Sequence, residues 1–104
     1  MPDRIVYKVL TAEALTQLQR DGVFHGSPAD IADGYIHLSC AYQLAETLDK
    51  HYRDITDLSL LAVDLTLLGD MVRWEPSRGG QLFPHIHGSL PIEAVVSVAA
   101  VERN

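Results

Sequence analysis

The chain has 104 residues, 47% hydrophobic and 21% charged, with a formal net charge of −6 when its histidines are neutral. One domain is the natural reading of this length, able to bury roughly 60–70% of its unfolded surface. The composition excludes a disordered chain, and the acidic balance argues against binding to nucleic-acid backbones or anionic membrane surfaces. A small local basic site is still available, because Arg73 and Arg78 lie close in sequence. The single cysteine, Cys40, can form no internal disulfide. The opening Met1-Pro2-Asp3-Arg4 lacks the basic and hydrophobic pattern of a signal segment. No apolar stretch approaches the roughly 20 residues of a membrane span. A soluble cytoplasmic protein with no membrane association is expected.

In chain order, Arg4 to Leu10 reads as a strand with Ile5, Tyr7 and Val9 on one face. Thr11 caps a helix that runs to about Arg20, with Ala12, Leu15 and Leu18 as its inward stripe and Gly22 as its stop. Val23 to Asp33 is a mixed loop, with turn signals at Gly26-Ser27-Pro28 and Asp33-Gly34. Tyr35 to Leu38 is a short strand. Ser39 then caps a second helix reaching about His51, in which Ala41, Leu44, Ala45 and Leu48 share one side. Leu58 to Leu65 reads as a central strand, and Met71 to Glu75 as a short strand closed by Pro76. Leu82-Phe83 continues as a brief edge strand, and Ala94 to Val101, rich in valine, as a buried one. Helices come early and strands late. The expected class is α+β: one domain over residues 1–104, a split antiparallel or mixed β structure with two main helices.

Chemistry concentrates in two segments, Gly34-Tyr35-Ile36-His37-Leu38-Ser39 and Phe83-Pro84-His85-Ile86-His87-Gly88. A helix beginning just after Ser39 would offer free N–H groups and a positive dipole end to a phosphate, carboxylate or oxyanion beside His37. The competing readings are that His37 bonds a neighbouring strand and that Ser39 only caps. His85 and His87 have i, i+2 spacing and project to one side of a strand, where His85 either acts as acid, base or donor in a pocket or fixes a loop. Two histidines could start a metal site, with His37 or Glu75 as third ligand, but no compact Cys/His set completes it; no metal is expected. Arg73 and Glu75 share a face opposite Trp74. Glu75 either orients a hydroxyl and stabilises a positive transition state, or pairs with a neighbouring arginine. Arg78 beside Gly79-Gly80 suits phosphate, or is a solvated loop charge. Gln43, one turn into the second helix, reaches back toward the pocket, and Lys8 is a candidate phosphate contact with Tyr7 on the core side. Cys40 lacks a clear base for nucleophilic work.

These segments, with Tyr7-Lys8-Val9-Leu10, Gly26-Ser27, Gln43, Arg73-Trp74-Glu75 and Ser77-Arg78-Gly79-Gly80, resemble the small bacterial family called domain of unknown function 952 across nearly the whole chain. Members often carry tyrosine where this chain has His87, which argues against a site that requires both His85 and His87. The family is distantly similar to the ADP-ribosyltransferase-like fold, a compact split β structure around an NAD cleft. That resemblance implies a pocket for NAD or ADP-ribose, with Lys8 in the early region of the transferase pattern, His37 and Ser39 in the central one and Glu75 in the acidic role.

Two functions follow as expectations. The first is an enzyme acting on NAD, ADP-ribose or a related phosphorylated nucleoside, with His37, Glu75 and His85 catalytic and Lys8, Ser39, Gln43 and Arg78 holding the ligand. The second is a non-catalytic nucleotide-like ligand-binding or sensor module that keeps the pocket without productive acid–base geometry.

Overall fold

Alternation along the first strand, β1 (Ile5–Leu10), buries Val6, Lys8 and Leu10, while on the other face Ile5 and Tyr7 are partly covered and only Val9 is buried. The structure, a computed structural model that describes residues 3–102 with the side chain of Arg78 excepted, thus leaves Tyr7, expected on the core side, only partly covered. Lys8 sits on the core side. The reason is the partner strand β4 (Ser59–Asp64), whose Leu61 and Val63 pack against Val6 and Leu10.

β4 is central, as its apolar run predicts. It pairs antiparallel with β1 on one side and with β8 (Val95–Ala100) on the other. β8 is not the buried strand that its valines suggest. It is an edge, with Val96 and Val98 about half exposed at 55% and 47%. β propensity reports a fit to a pleated surface and does not separate edge from centre.

A second three-stranded sheet has the order β3 (Ile36–His37), β6 (Leu82–Ile86), β5 (Val72–Pro76), again antiparallel. Here β6 is central rather than the brief edge strand expected at Leu82-Phe83. Pro84 donates nothing to the ladder, but its carbonyl accepts from the Leu38 N–H at 3.0 Å, so the strand keeps a partner on the β3 side. The two sheets are stitched by an antiparallel bridge between Tyr7 and Ser39. A two-residue pair, β2 (Val23–Phe24) with β7 (Leu90–Pro91), closes the far side.

Three helices lie outside the sheets. α1 (Ala12–Asp21) starts at the Thr11 cap and stops at Gly22, whose φ of 74° suits a residue without Cβ. Leu18 is its buried anchor, with Ala14 and Leu15 packed beside it; Ala12 faces solvent. α2 (Pro28–Asp33) occupies part of the expected loop and raises the helix count from two to three. It forms because Ser27 and Asp30 make a reciprocal capping box and Pro28 fits the first turn. α3 (Leu44–His51) begins later than expected, after a tight turn over Ala41–Gln43. No helix among the described residues is long and apolar enough to cross a membrane.

The core joins both sheets through Val6, Leu10, Ile36, Leu61, Val63 and Ile86, with Leu18 from α1. Leu61→Ala, in the fully covered centre of β4, should cost about 2–5 kcal/mol in urea denaturation. Val98→Ala on the β8 edge should cost under about 1 kcal/mol. Equal losses would contradict the edge placement of β8.

Candidate functional site

Because β1 turns Lys8 inward, a charged ammonium lies at 4% exposure among core residues. An isolated buried charge is too costly to persist, so it must be paired. Asp30, itself only 2% exposed, supplies the pair: Lys8 Nζ stands 2.9 Å from Asp30 Oδ2 and 3.2 Å from Oδ1, and also donates to the His37 carbonyl at 2.9 Å. The same carboxylate accepts from the Ser27 N–H at 2.9 Å, the His37 N–H at 3.1 Å and His37 Nδ1 at 2.6 Å. Burial alone would raise the Asp30 carboxyl. The His37 hydrogen bond, the Lys8 charge and the Ser27 N–H outweigh it and hold the carboxyl well below the usual carboxylate range. For Lys8 the balance tips the other way, burial lowering it against the pull of Asp30.

His37 is bonded at both ring nitrogens, Nδ1 to Asp30 and Nε2 to Asp33 Oδ2 at 2.8 Å. Only a ring protonated at both positions donates both bonds at once. His37 is therefore an anchored group, with both ring nitrogens engaged.

The strand register brings the second histidine segment alongside. His85 pairs with His37 across β3 and β6, and with Arg73 across β6 and β5. His85 is 1% exposed, and its Nδ1 lies 2.7 Å from Glu75 Oε1. His87, two residues on and on the same side, brings Nε2 to 2.8 Å from the same oxygen. Those two hydrogen bonds, His87 first, hold the Glu75 carboxyl below its ordinary value. Burial lowers His85, against the Glu75 bond and with help from nearby His37, so the ring stays neutral. Tyr35 lies over it in a stacked arrangement, 4.1 Å between ring centroids, and also touches the rings of His37 and His87.

A cavity of about 680 Å³ opens here, within the size range of small-ligand sites. Lys8, His37, Ser39 and His85 line it, together with Asp30, Asp33 and the aromatic side chains of Phe24 and Phe83. Among these groups His85 is distinctive: Glu75 holds Nδ1, and Nε2 has no hydrogen-bond partner among the described residues.

The other expected residues take different places. Glu75 stands behind His85 and outside the cavity lining. Ser39 lines the cavity, but its hydroxyl is engaged with Thr47 Oγ1 at 2.9 Å and its backbone with Tyr7. It caps no helix. The helix-start anion site expected after Ser39 is thereby corrected: the first free N–H, that of Cys40, donates to Gln43 Oε1 at 2.9 Å. Gln43 is 3% exposed, also donates to the Leu82 carbonyl at 3.0 Å, and does not line the cavity. The Arg78 side chain lies outside the described part. Cys40 is buried, and its thiol is pushed up to about 11, by burial first, which removes it as a thiolate nucleophile. Among the described residues, no group of three or more His, Cys, Asp or Glu side chains is arranged for a metal. Asp30 and Tyr35 carry much of the geometry without having been singled out. Ser27-Pro28-Ala29-Asp30 held the signal for Asp30, a serine followed three residues later by an acid, with proline at the first helical position.

Asp30→Asn leaves the Lys8 ammonium buried without its counter-charge and should cost about 3–5 kcal/mol in urea denaturation. Because the folded carboxyl is depressed, its stabilisation is complete above the unfolded pKa and disappears as acid protonates the folded carboxylate. Wild-type stability should accordingly fall as pH drops below about 4, and the variant should lack that component. Wild-type stability in Asp30→Asn would contradict the pairing.

Comparison with known proteins gives the chain its kin. The protein CC0527 from Caulobacter crescentus has a crystal structure that is 39% identical, with a TM-score of 0.92 over 96% of this chain and 88% of that one. The solution NMR structure of CC0527 gives 38% identity and a TM-score of 0.86 over 98% and 88%. No curated protein matches the sequence. The model of the family described as "Protein of unknown function (DUF952)" matches residues 9–98, and the chain belongs to that family.

Proposed function

We propose that this protein is a cytoplasmic enzyme acting on NAD, ADP-ribose or a related phosphorylated nucleoside, with His85 as its general base. The observation that carries this reading is the Glu75–His85 pair: a buried, neutral imidazole that lines a ligand-sized cavity and has one nitrogen held by a carboxylate. A carboxylate at Nδ1 takes the ring proton there and leaves the lone pair on Nε2. Nε2 then accepts a proton from a ribose hydroxyl or a water, near neutral pH. Glu75 serves by fixing the tautomer and stabilising the imidazolium that forms. His37 and Lys8 stand at the cavity wall, each paired with a carboxylate. Ser39 lies at the same wall, Gln43 supports it through the backbone it holds, and Arg78 is the further phosphate contact in this reading.

The nucleoside class draws support from the architecture. Two three-stranded antiparallel sheets joined at the Tyr7–Ser39 bridge fit the split β arrangement of the ADP-ribosyltransferase-like fold. Phe24 and Phe83 offer flat apolar surface for a base ring. A second reading, a non-catalytic sensor for the same ligands, is favoured by one observation: Lys8 and His37 are both already bonded to carboxylates.

Calorimetry with NAD, ADP-ribose and nicotinamide, followed by chromatography of the mixtures with candidate acceptors, tests both readings. Saturable binding with product release is the expected result. His85→Gln should then lower turnover roughly 10²–10⁴-fold with little change in affinity. Binding without turnover across those acceptors selects the sensor, and no binding of any of the three compounds removes both readings.

A further inference from the structure

The two carboxylates on His37 are not equivalent. Asp30 is buried, holds Nδ1 at 2.6 Å and is fixed by Lys8 and Ser27 as well. Asp33 ends α2, its side chain is 54% exposed, and the bond to His37 Nε2 is its sole side-chain hydrogen bond among the described residues. Breaking that bond requires only a rotamer change at the surface, whereas moving Asp30 strands a buried ammonium. Both Asp33 and His37 line the cavity. Lys8 pairs with Asp30, and His37 Nε2 pairs with Asp33. When Asp33 swings into solvent, the ring N–H that it held is left vacant at the wall.

We infer that His37 Nε2 is an anion subsite whose resting occupant is Asp33, and that an anionic oxygen of a ligand, of the phosphate class, binds there by displacing the Asp33 carboxylate. This deepens the nucleoside reading by naming where the ligand's phosphate sits, and it rests on that reading only for the source of the phosphate. A carboxylate competing from within weakens the ligand. An exposed pair of this kind shifts a binding equilibrium by up to about fivefold.

The test measures affinity for inorganic pyrophosphate and for ADP-ribose by calorimetry, in the wild type, Asp33→Ala and Asp33→Ala/His37→Gln. Asp33 is exposed at a helix end, so Asp33→Ala should melt with the wild type. The expected result is pyrophosphate affinity about fivefold higher in Asp33→Ala, with the gain lost in the double variant. Unchanged or weaker affinity for both probes in Asp33→Ala overturns the inference, as does a gain that survives His37→Gln. The two proposals fail separately. A pyrophosphate gain without ADP-ribose binding keeps the subsite and removes the nucleoside. ADP-ribose binding of equal strength in the wild type and Asp33→Ala, with no pyrophosphate gain, keeps the nucleoside and removes the subsite.

Discussion

The buried ion pair between Lys8 and Asp30 is the constraint around which the rest of this molecule is arranged. A strand with period-two alternation has placed a lysine between two core residues, Val6 and Leu10. The fold answers by bringing a carboxylate from 22 residues away and burying it too. That carboxylate then has lone pairs to satisfy. The Ser27 N–H starts α2, the His37 N–H and ring fix the beginning of β3, and the His37 carbonyl returns to Lys8. One charge pair thus positions a strand, a helix start and a histidine, and each member also lines the cavity.

That arrangement divides the histidines by chemistry. His37 is held at both nitrogens by carboxylates, which anchors the ring. His87 shares a carboxylate oxygen at the partly exposed edge of the group. His85 lies between them, covered by Tyr35, kept neutral by burial and oriented by Glu75. Three imidazoles within one small cluster thus meet different surroundings: His37 is bonded to two carboxylates, and His85 and His87 share one at different depths.

Much of this was legible in the sequence. The apolar run at Leu58–Leu65 gave the central strand, Thr11 and Gly22 bounded α1, and the spacing of His85 and His87 put both on one side. The two histidine segments stood out as where the chemistry concentrates, and β3 and β6 pair through them. What was illegible has physical reasons. The face of β1 with more apolar residues, Ile5, Tyr7 and Val9, is the less buried one overall, because burial depends on which side the other elements cover. Asp30 was hidden inside a segment whose turn signals outweighed its capping box. The valines of β8 carry β propensity at an edge, and Pro84 sits in a central strand. Ser39 stands where a helix cap would, but its backbone is taken by the bridge to Tyr7 before the helix begins.

The account rests on His85 being the cavity histidine with a free nitrogen. Nitrogen NMR of its imidazole at neutral pH, assigned by comparison with His85→Gln, reads this directly. The account predicts a neutral ring with the proton on Nδ1 and an unprotonated Nε2, and loss of that tautomeric preference in Glu75→Gln. A ring protonated at both nitrogens, or one with its proton on Nε2 and the lone pair toward Glu75, would contradict it.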